Sequence, residues 1–467
     1  MDMKEETILI IGAGLCGSLL ALRMAQRGYD VQLIEKRPDL RTVDLGAGRS
    51  INLAFSDRGM KGMKLVGLEE QVKELCIPMY GRMIHDMEGN TFLSRYSGRE
   101  HEYINSVSRT GLNALLLDEA EKMENITMIF NHSCLEVNLE EGIATFYDEK
   151  NDREILLKGD VVIGADGAGS VLRKSMFLHK KFLFSFSQNF LTHGYKELTF
   201  PPAKDGGYLT EKGALHIWPR GENMVIALPN LDGSFTVTLF LSYSEGEYNF
   251  DNLTTPERVI EYFEKYYPDA LELMPDLAAE YFENPVGALG TVKCSPWSSY
   301  GKTLLMGDAA HAIVPFYGQG MNASFEDVVV FDEILNLHEG DWQKVFSAYE
   351  KERKKDTDAI ADLALDNFHE MKAHTASALF QEKRKLETAF EKEFPMEYSS
   401  KYSLVTFNEN ISYSEAMKKG RAQDKAILNL LADGKINTNQ SLRDQLELVK
   451  RETEEVLHDD AVAKNLM

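Results

Sequence analysis

Gly12, Gly14 and Gly17, in the stretch IIGAGLCG, are the residues whose spacing points most directly to chemistry. Their G-x-G-x-x-G pattern follows a short apolar run, Thr7 to Ile11, and opens a helical stretch, LLALRMAQRG. Glycines in such a turn let the backbone approach a pyrophosphate, and the N-terminus of the following helix stabilises its charge. A second apolar run, YDVQLIEKR, brings Glu35 to its end, where a carboxylate accepts ribose hydroxyls. A carboxylate there repels a 2′-phosphate, so the ligand carries a plain adenosine, as FAD or NAD does.

Two further turns join Gly to Asp, in IGADGAGSVLRK at 163–174 and in MGDAAHAIVPFYGQGMNASFED at 306–327. An NAD dehydrogenase would carry a catalytic His, Lys or Tyr in recognisable company, whereas this chain returns to ligand-facing turns. FAD is long enough to need them, because its ribityl-isoalloxazine half lies far from the adenosine pocket. Asp308 can accept hydrogen bonds from ribityl hydroxyls, and Pro315, Gly318 and Gly320 let backbone approach the ring. The N–H groups of Met321 and Asn322, opening a helix, would stabilise negative charge at the flavin N1/O2 edge on reduction. His311 is read as structural.

These turns need elements to position them. The first fits a strand–helix–strand unit of a doubly wound sheet, and further apolar strands precede the other two. Residues 213–245 alternate with period two, as in FTVTLFLS, and are broken at PRGEN and PNLDG, which reads as an antiparallel meander. From about 346 the sequence is helical and charged, with solvated faces. The expected fold is α/β, a Rossmann-like FAD-binding domain with an interleaved antiparallel-sheet substrate domain and a C-terminal helical region. The expected limits are 1–75, 103–178 and 285–345 for the FAD-binding domain, 76–102 and 179–284 for the substrate domain, and 346–467 for the helical region.

The 467 residues, 43% of them hydrophobic, suffice for several packed cores. A net charge of -23 argues against nucleic acid and against a basic membrane-docking face. The cysteines, Cys16, Cys76, Cys134 and Cys294, form no C-x-x-C pair, so neither a disulfide framework nor a metal site is expected and a reducing compartment fits. The start, MDMKEETILIIGAG, lacks a basic n-region, and no apolar run approaches the ~18 residues of a membrane span. A cytoplasmic location is expected.

Together the three turns resemble those of the class A flavoprotein monooxygenases, aromatic hydroxylases with a p-hydroxybenzoate-hydroxylase-like fold. GRSINLAFSDRG (48–59), GRMIHD (81–86), SVSRTGLN (106–113), LHIWPRG (215–221) and PFYGQGMNASFED (315–327) are similar to the kynurenine 3-monooxygenase family within that class. The resemblance implies that NADPH reduces non-covalently bound FAD, that O2 then gives a flavin C4a-hydroperoxide, and that L-kynurenine is hydroxylated to 3-hydroxy-L-kynurenine, in tryptophan degradation and NAD synthesis. No protein acid–base pair is then required, because the anilinic amine activates the ring. With one dinucleotide fingerprint in the chain, NADPH binds transiently. Leu15, Ala54 and Arg109 become FAD contacts by the same resemblance.

The substrate would be a zwitterion with an aromatic end. If Glu88, Gly89 and Asn90 form a three-residue hairpin loop, Arg82 and Tyr96 are directly opposed and make a carboxylate clamp. Ile360, Leu363, Asn367 and Met371 share one helical stripe, so the amide points inward and needs a partner. Asn367 matches the family's substrate-contacting asparagine and Tyr402 its second carboxylate-binding tyrosine. Leu215, Met224, Leu228, Thr238 and Phe240 match its apolar lining, with Phe316 beside the flavin and Tyr317 next to it. Eukaryotic members end in a membrane-anchoring segment. This chain ends in the polar HDDAVAKNLM, so no anchor is expected and the helices from roughly 370 cap the pocket. The alternatives are a flavin hydroxylase of another aromatic acid, or a flavin-dependent reductase or oxidase that does not hydroxylate.

Overall fold

A computed structural model describes residues 4–43, 52–338, 340–373, 378–436 and 440–465. Residues 48–51 of the GRSIN stretch, the side chain of Met371 and the last residues of the polar tail lie outside what is described.

The chain opens as anticipated, with β1 (Thr7–Ile11), α1 (Leu15–Gln26) and β2 (Asp30–Ile34). It continues through β3 (Asn52–Phe55), α2 (Asp57–Leu65), α3 (Glu69–Lys73), β4 (Cys76–Met79), β5 (Gly81–His85) and β6 (Thr91–Arg95). Next come β7 (Ile104–Ser108), α4 (Arg109–Glu121), β8 (Ile126–Ile129), β9 (His132–Asn138), β10 (Ile143–Asp148) and β11 (Arg153–Lys158). After β12 (Val161–Gly164) and α5 (Val171–Leu178) run β13 (Ser185–Phe200), β14 (Leu215–Arg220), β15 (Asn223–Pro229) and β16 (Phe235–Ser242). The helices α6 (Pro256–Tyr266), α7 (Pro268–Leu271) and α8 (Leu277–Glu283) lead to β17 (Gly287–Ser295), β18 (Ser298–Ser299) and β19 (Thr303–Leu305). The remainder is helical: α9 (Asp308–His311), α10 (Gly320–Leu337), α11 (Trp342–Ala373), α12 (Ala378–Glu393), α13 (Lys401–Thr406), α14 (Tyr413–Ala432) and α15 (Leu442–Asn465).

Two sheets position the site. The first has the order β18-β19-β12-β1-β2-β8, and its strands from β19 to β8 are parallel. Its near-continuous apolar strands, with Ile8, Leu9, Ile10, Val161, Val162 and Ile163 wholly buried, are those of a sheet covered on both faces. The second sheet has the order β17-β13-β16-β15-β14-β5-β6. Its residues Leu198, Trp218, Val225, Val237 and Leu239 pack with Val259, Tyr262, Ala270 and Leu277 of α6–α8 in one apolar cluster. The opposite face looks toward the helical region. The strand β4, inside the stretch assigned to the substrate domain, pairs with β7 in a separate small sheet with β3, and β9–β11 form a meander the sequence reading did not anticipate. Among the described residues no helix is long and apolar enough to cross a membrane.

The register of the β5–β6 hairpin corrects one expectation. Arg82 faces Ser94 rather than Tyr96, and His85 faces Thr91. The three-residue loop lies one position earlier than expected, at Met87, Glu88 and Gly89: Asp86 N–H donates to Asn90 O at 3.0 Å, and the Asp86 carboxylate accepts the N–H of Glu88 at 3.0 Å and that of Asn90 at 2.7 Å. A shift by an even number of positions keeps every side chain on its original face. Tyr96 therefore becomes the diagonal neighbour of Arg82, still within reach of a long side chain.

Candidate active site

Parallel order places the C-terminal ends of β1, β12 and β19 side by side, and the three Gly-containing turns meet there. Ala165 N–H donates to Ile11 O at 2.8 Å and Met306 N–H to Gly164 O at 3.0 Å. Arg173, in the second turn's helix, donates to Ala309 O beyond the third turn at 2.6 Å. Gly12 has φ of 102°, and a Cβ there would lie 2.5 Å from Ala165 O; one at Gly17 would lie 1.9 Å from Gly12 O. Gly14 differs, since a Cβ there would meet no atom within 4 Å. Its open side is where a pyrophosphate can approach the backbone beside Leu15, at the α1 N-terminus.

Glu35 follows β2 and is buried, with Oε2 accepting Ala13 N–H at 3.0 Å and Oε1 accepting Arg37 N–H at 3.0 Å and Arg37 Nε at 2.7 Å. Burial opposes its ionisation, but the hydrogen bonds from Arg37 and Ala13 prevail and hold its pKa low. It is therefore a fixed acceptor. Arg109 begins α4 after the capping Ser108, and both Arg109 and Asp308 are exposed. Pro315 starts a single 3-10 turn that ends at Gly318, with φ of 69°. The helix α10 begins at Gly320, so the N–H groups of Gly320, Met321 and Asn322 precede its first helical hydrogen bond, from Ala323 to Gln319 O. The Asn322 side chain fixes this loop by accepting Ser56 N–H at 3.0 Å and donating at 2.8 Å to both Ala54 O and Gly318 O. Open glycine backbone, free first-turn donors, a buried acidic acceptor and an exposed aspartate match the needs of FAD from adenosine to ring.

Beneath the loop lies a buried ion network that sequence reading missed, apart from the structural role given to His311. His311 Nε2 lies 2.6 Å from Asp327 Oδ2, and Asp327 Oδ1 accepts Arg353 Nε at 2.8 Å. Glu326 bridges Arg353 at 2.7 Å and Arg58 at 2.6 Å. Arg58 also donates to Val405, Asn408 and Ile411 carbonyls, tying α2 and α10 to the segment after Tyr402.

The helix-facing side of the second sheet carries the other residues. Cross-strand pairing puts Tyr195, Phe240 and Met224 in one row, and Glu197, Thr238, Ile226, Ile217 and Ile84 in the next. A third row runs through Thr236 and Leu228 to Leu215 and Arg82, the last two directly paired. The Arg82 guanidinium lies 4.9 Å from the Tyr402 ring and 5.7 Å from the Tyr96 ring. Those two rings stack at 5.5 Å, and Tyr317 stacks on the other side of Tyr402 at 5.5 Å. Burial opposes the charge on Arg82, while the Tyr402, Tyr96 and Tyr317 phenols favour it. Its Nε is buried without a hydrogen-bond partner.

Phe316 packs against Phe240 at 5.0 Å and Phe368 at 4.5 Å, and a small cleft lined by Met224, Phe240, Phe316 and Phe368 opens beside them. Asn367 is buried and donates from Nδ2 to Phe316 O at 2.6 Å, which ties α11 to the loop before α10. Phe368, Ile226 and Glu197 were not anticipated. The alternation of NMVIALP could have shown Ile226 as the same-face neighbour of Met224 and Leu228. Glu197 shares the row of Thr238, and burial raises its pKa to about 7 against the opposing charge of Arg109.

The chain is similar to several known proteins. The FAD binding domain family FAD_binding_3 matches residues 5–190 and 280–364. Kynurenine 3-monooxygenase of Myxococcus xanthus is 43% identical over 433 residues, covering 93% of this chain and 92% of that one. Kynurenine 3-monooxygenase of Dictyostelium discoideum is 43% identical over 452 residues, covering 94% and 95%. The solved 2-methyl-3-hydroxypyridine-5-carboxylic acid oxygenase, in its tetrameric form, shares the fold with a TM-score of 0.63 at 19% identity, covering 85% of this chain and 99% of that one. The chain belongs to the kynurenine 3-monooxygenases, FAD-dependent flavoprotein monooxygenases.

Proposed function

We propose that this enzyme inserts one atom of O2 into the ring of L-kynurenine, giving 3-hydroxy-L-kynurenine, while NADPH is oxidised and the second oxygen atom leaves as water. The observation that carries this reading is Arg82, a guanidinium with a buried, unpartnered Nε and no ion pair among the described residues. A cation so placed calls for an anionic ligand. The Tyr96 and Tyr402 rings flank the position a carboxylate would take, and the Leu215, Leu228 and Met224 rows give the ring an apolar slot leading to Thr238, Phe240 and Phe316. Asn367 sets the height of the Phe316 carbonyl and with it the loop that faces both ligands.

The turns at Gly12, Gly14 and Gly17, Glu35, Arg109 and Asp308, and the loop from Pro315 to Asn322 would hold FAD, which when bound would supply the reduction of O2. The first-turn N–H groups of α10 would stabilise negative charge on it. The protein's own residues orient the substrate and exclude water, and no side chain needs to act as acid or base. The aromatic sheet face, the domain limits given above and the helical region over the pocket form one working unit in this reading. All four cysteines are free, which suits a reducing compartment such as the cytoplasm.

The test compares NADPH oxidation with L-kynurenine, anthranilate and p-hydroxybenzoate under labelled O2. L-kynurenine should accelerate flavin reduction and acquire one labelled oxygen. Acceleration by another acid alone would redirect the substrate assignment, and NADPH consumption without label in the product would make the enzyme a reductase or oxidase.

A further inference from the structure

On the far side of the substrate sheet, two buried histidines and the half-buried Asp269 form a relay. His85, the last residue of β5, has Nδ1 2.8 Å from Asp269 Oδ2 on α7 and Nε2 2.9 Å from His216 Nδ1 on β14. His216 Nε2 lies 2.7 Å from the Glu211 carbonyl oxygen. Trp218 Nε1 donates to the same Asp269 oxygen at 2.8 Å, and its ring stacks on His85 with centroids 3.9 Å apart.

The hydrogen-bond inventory determines where the protons sit. A carbonyl oxygen only accepts, so His216 carries its proton on Nε2 and turns a lone pair on Nδ1 toward His85. Burial, first among the causes, lowers the His216 pKa to about 4, which keeps it neutral. His85 must then donate from Nε2. With that proton alone, its Nδ1 would present a second lone pair to the Asp269 carboxylate. The relay is complete only when one more proton is shared between His85 Nδ1 and Asp269.

This relay fastens the hairpin that carries Arg82. β5 and β6 lie at the end of the sheet and join the rest of it through β14, where Leu215 pairs with Arg82 and His216 with Met83. Arg220, also on β14, donates to His85 O at 2.9 Å and Asp86 O at 3.0 Å. The relay adds a side-chain tie from the same strand to α7. We propose that His85 is a positioning residue for Arg82, part of a latch that holds the substrate clamp in place only while the His85–Asp269 contact keeps its proton. This rests on the reading of Arg82 as the carboxylate-binding group.

The charged and titratable groups around the relay are Asp269 from α7, His216 and Arg220 from β14, Glu211 from the preceding loop and Asp86 from the hairpin loop. Tyr267, between α6 and α7, carries the Arg220 guanidinium 5.3 Å from its ring. The proton is present at lower pH and is lost as pH rises, so the latch opens on the alkaline side.

Calorimetric titration of FAD-loaded enzyme with L-kynurenine from pH 6 to 9 tests this, with circular dichroism to confirm folding. Wild-type affinity should fall on the alkaline side by about tenfold per pH unit once the shared proton begins to leave. His85→Leu should bind weakly and lack that step. Asp269→Asn should bind more weakly than wild type at low pH and also lack that step, because the amide group at this position can either donate to His85 Nδ1 or accept from Trp218 Nε1, not both, and carries no charge with which to share a proton. It shares the substrate's own ionisation with wild type and so isolates the relay. At saturating substrate kcat should change by less than about twofold in each variant. A wild-type alkaline step retained in Asp269→Asn overturns the latch, and that comparison stands even if His85→Leu does not fold. If Arg82→Ala weakens binding while Asp269→Asn keeps the step, the latch falls and the clamp stands; if Arg82→Ala binds normally, both fall.

Discussion

The cofactor-facing turns and the substrate-facing sheet are built by opposite means. The turns at Gly12, Gly14, Gly164 and Gly307 work through backbone: a side chain at Gly12 would strike main chain, Gly14 is left open to a ligand, and at Gly164 and Gly307 neighbouring side chains take the space a Cβ would need. The sheet face works through side chains that arrive from β5, β14, β15, β16, α11 and α13, including Arg82, Met224, Asn367 and Tyr402. A backbone site is written in short contiguous motifs, whereas a side-chain site depends on register and packing across more than 300 positions. The difference teaches that damage to the first should abolish cofactor binding outright, and damage to the second should separate substrate binding from cofactor content.

Gly17→Val tests the extreme case, because a Cβ there would already lie 1.9 Å from Gly12 O. The purified variant should be colourless or unfolded, and a yellow, fully loaded protein would refute the account of the turn. Arg82→Ala removes a charge-assisted contact of about 1.5–3 kcal/mol. The L-kynurenine Kd should therefore rise roughly ten- to over a hundredfold, with FAD content unchanged. Gly14→Ala sharpens the contrast within the first region. Its Cβ meets no protein atom within 4 Å, so Tm of the FAD-free protein should hold while FAD affinity weakens roughly tenfold, about 1.4 kcal/mol. Equal losses in both measurements would mean that the turn, not the ligand, resents the methyl group.

The smallest effect concerns Glu197, on the substrate face. Its folded pKa is raised, to about 7, so its contribution to stability is full below its unfolded value and lost as pH rises through about 7. Glu197→Gln should therefore raise Tm slightly at pH 8 relative to wild type and give no gain at pH 5. Solvent screening of this partly exposed group keeps the change small. A loss of stability at pH 8 would show that the ionised carboxylate is satisfied after all.

Much of the fold was legible because its signals are local. The β1–α1–β2 unit, the two later Gly–Asp turns and the switch to an antiparallel meander each announce themselves within a few dozen residues. The meander β9–β11 and the pairing of β4 with β7 were not read, since short strands of mixed exposure lack a distinctive period. The clamp was legible in part. The sequence placed Arg82 and Tyr96 on one face, but the Asp86 turn moved the loop one position earlier and changed their pairing, which no alternation rule contains.

What the amino-acid order determined by itself is the cofactor cradle. Glycine spacing and a terminal carboxylate act over distances that one turn of chain spans, so composition and order suffice. Only the tertiary structure decided which side chains share the substrate face, that Arg58 joins α2, α10 and the segment after Tyr402, and that Asp269 on α7 meets His85 on β5. Those contacts arise from separate elements closing on a common core, and their partners are chosen by register and burial rather than by nearness in sequence.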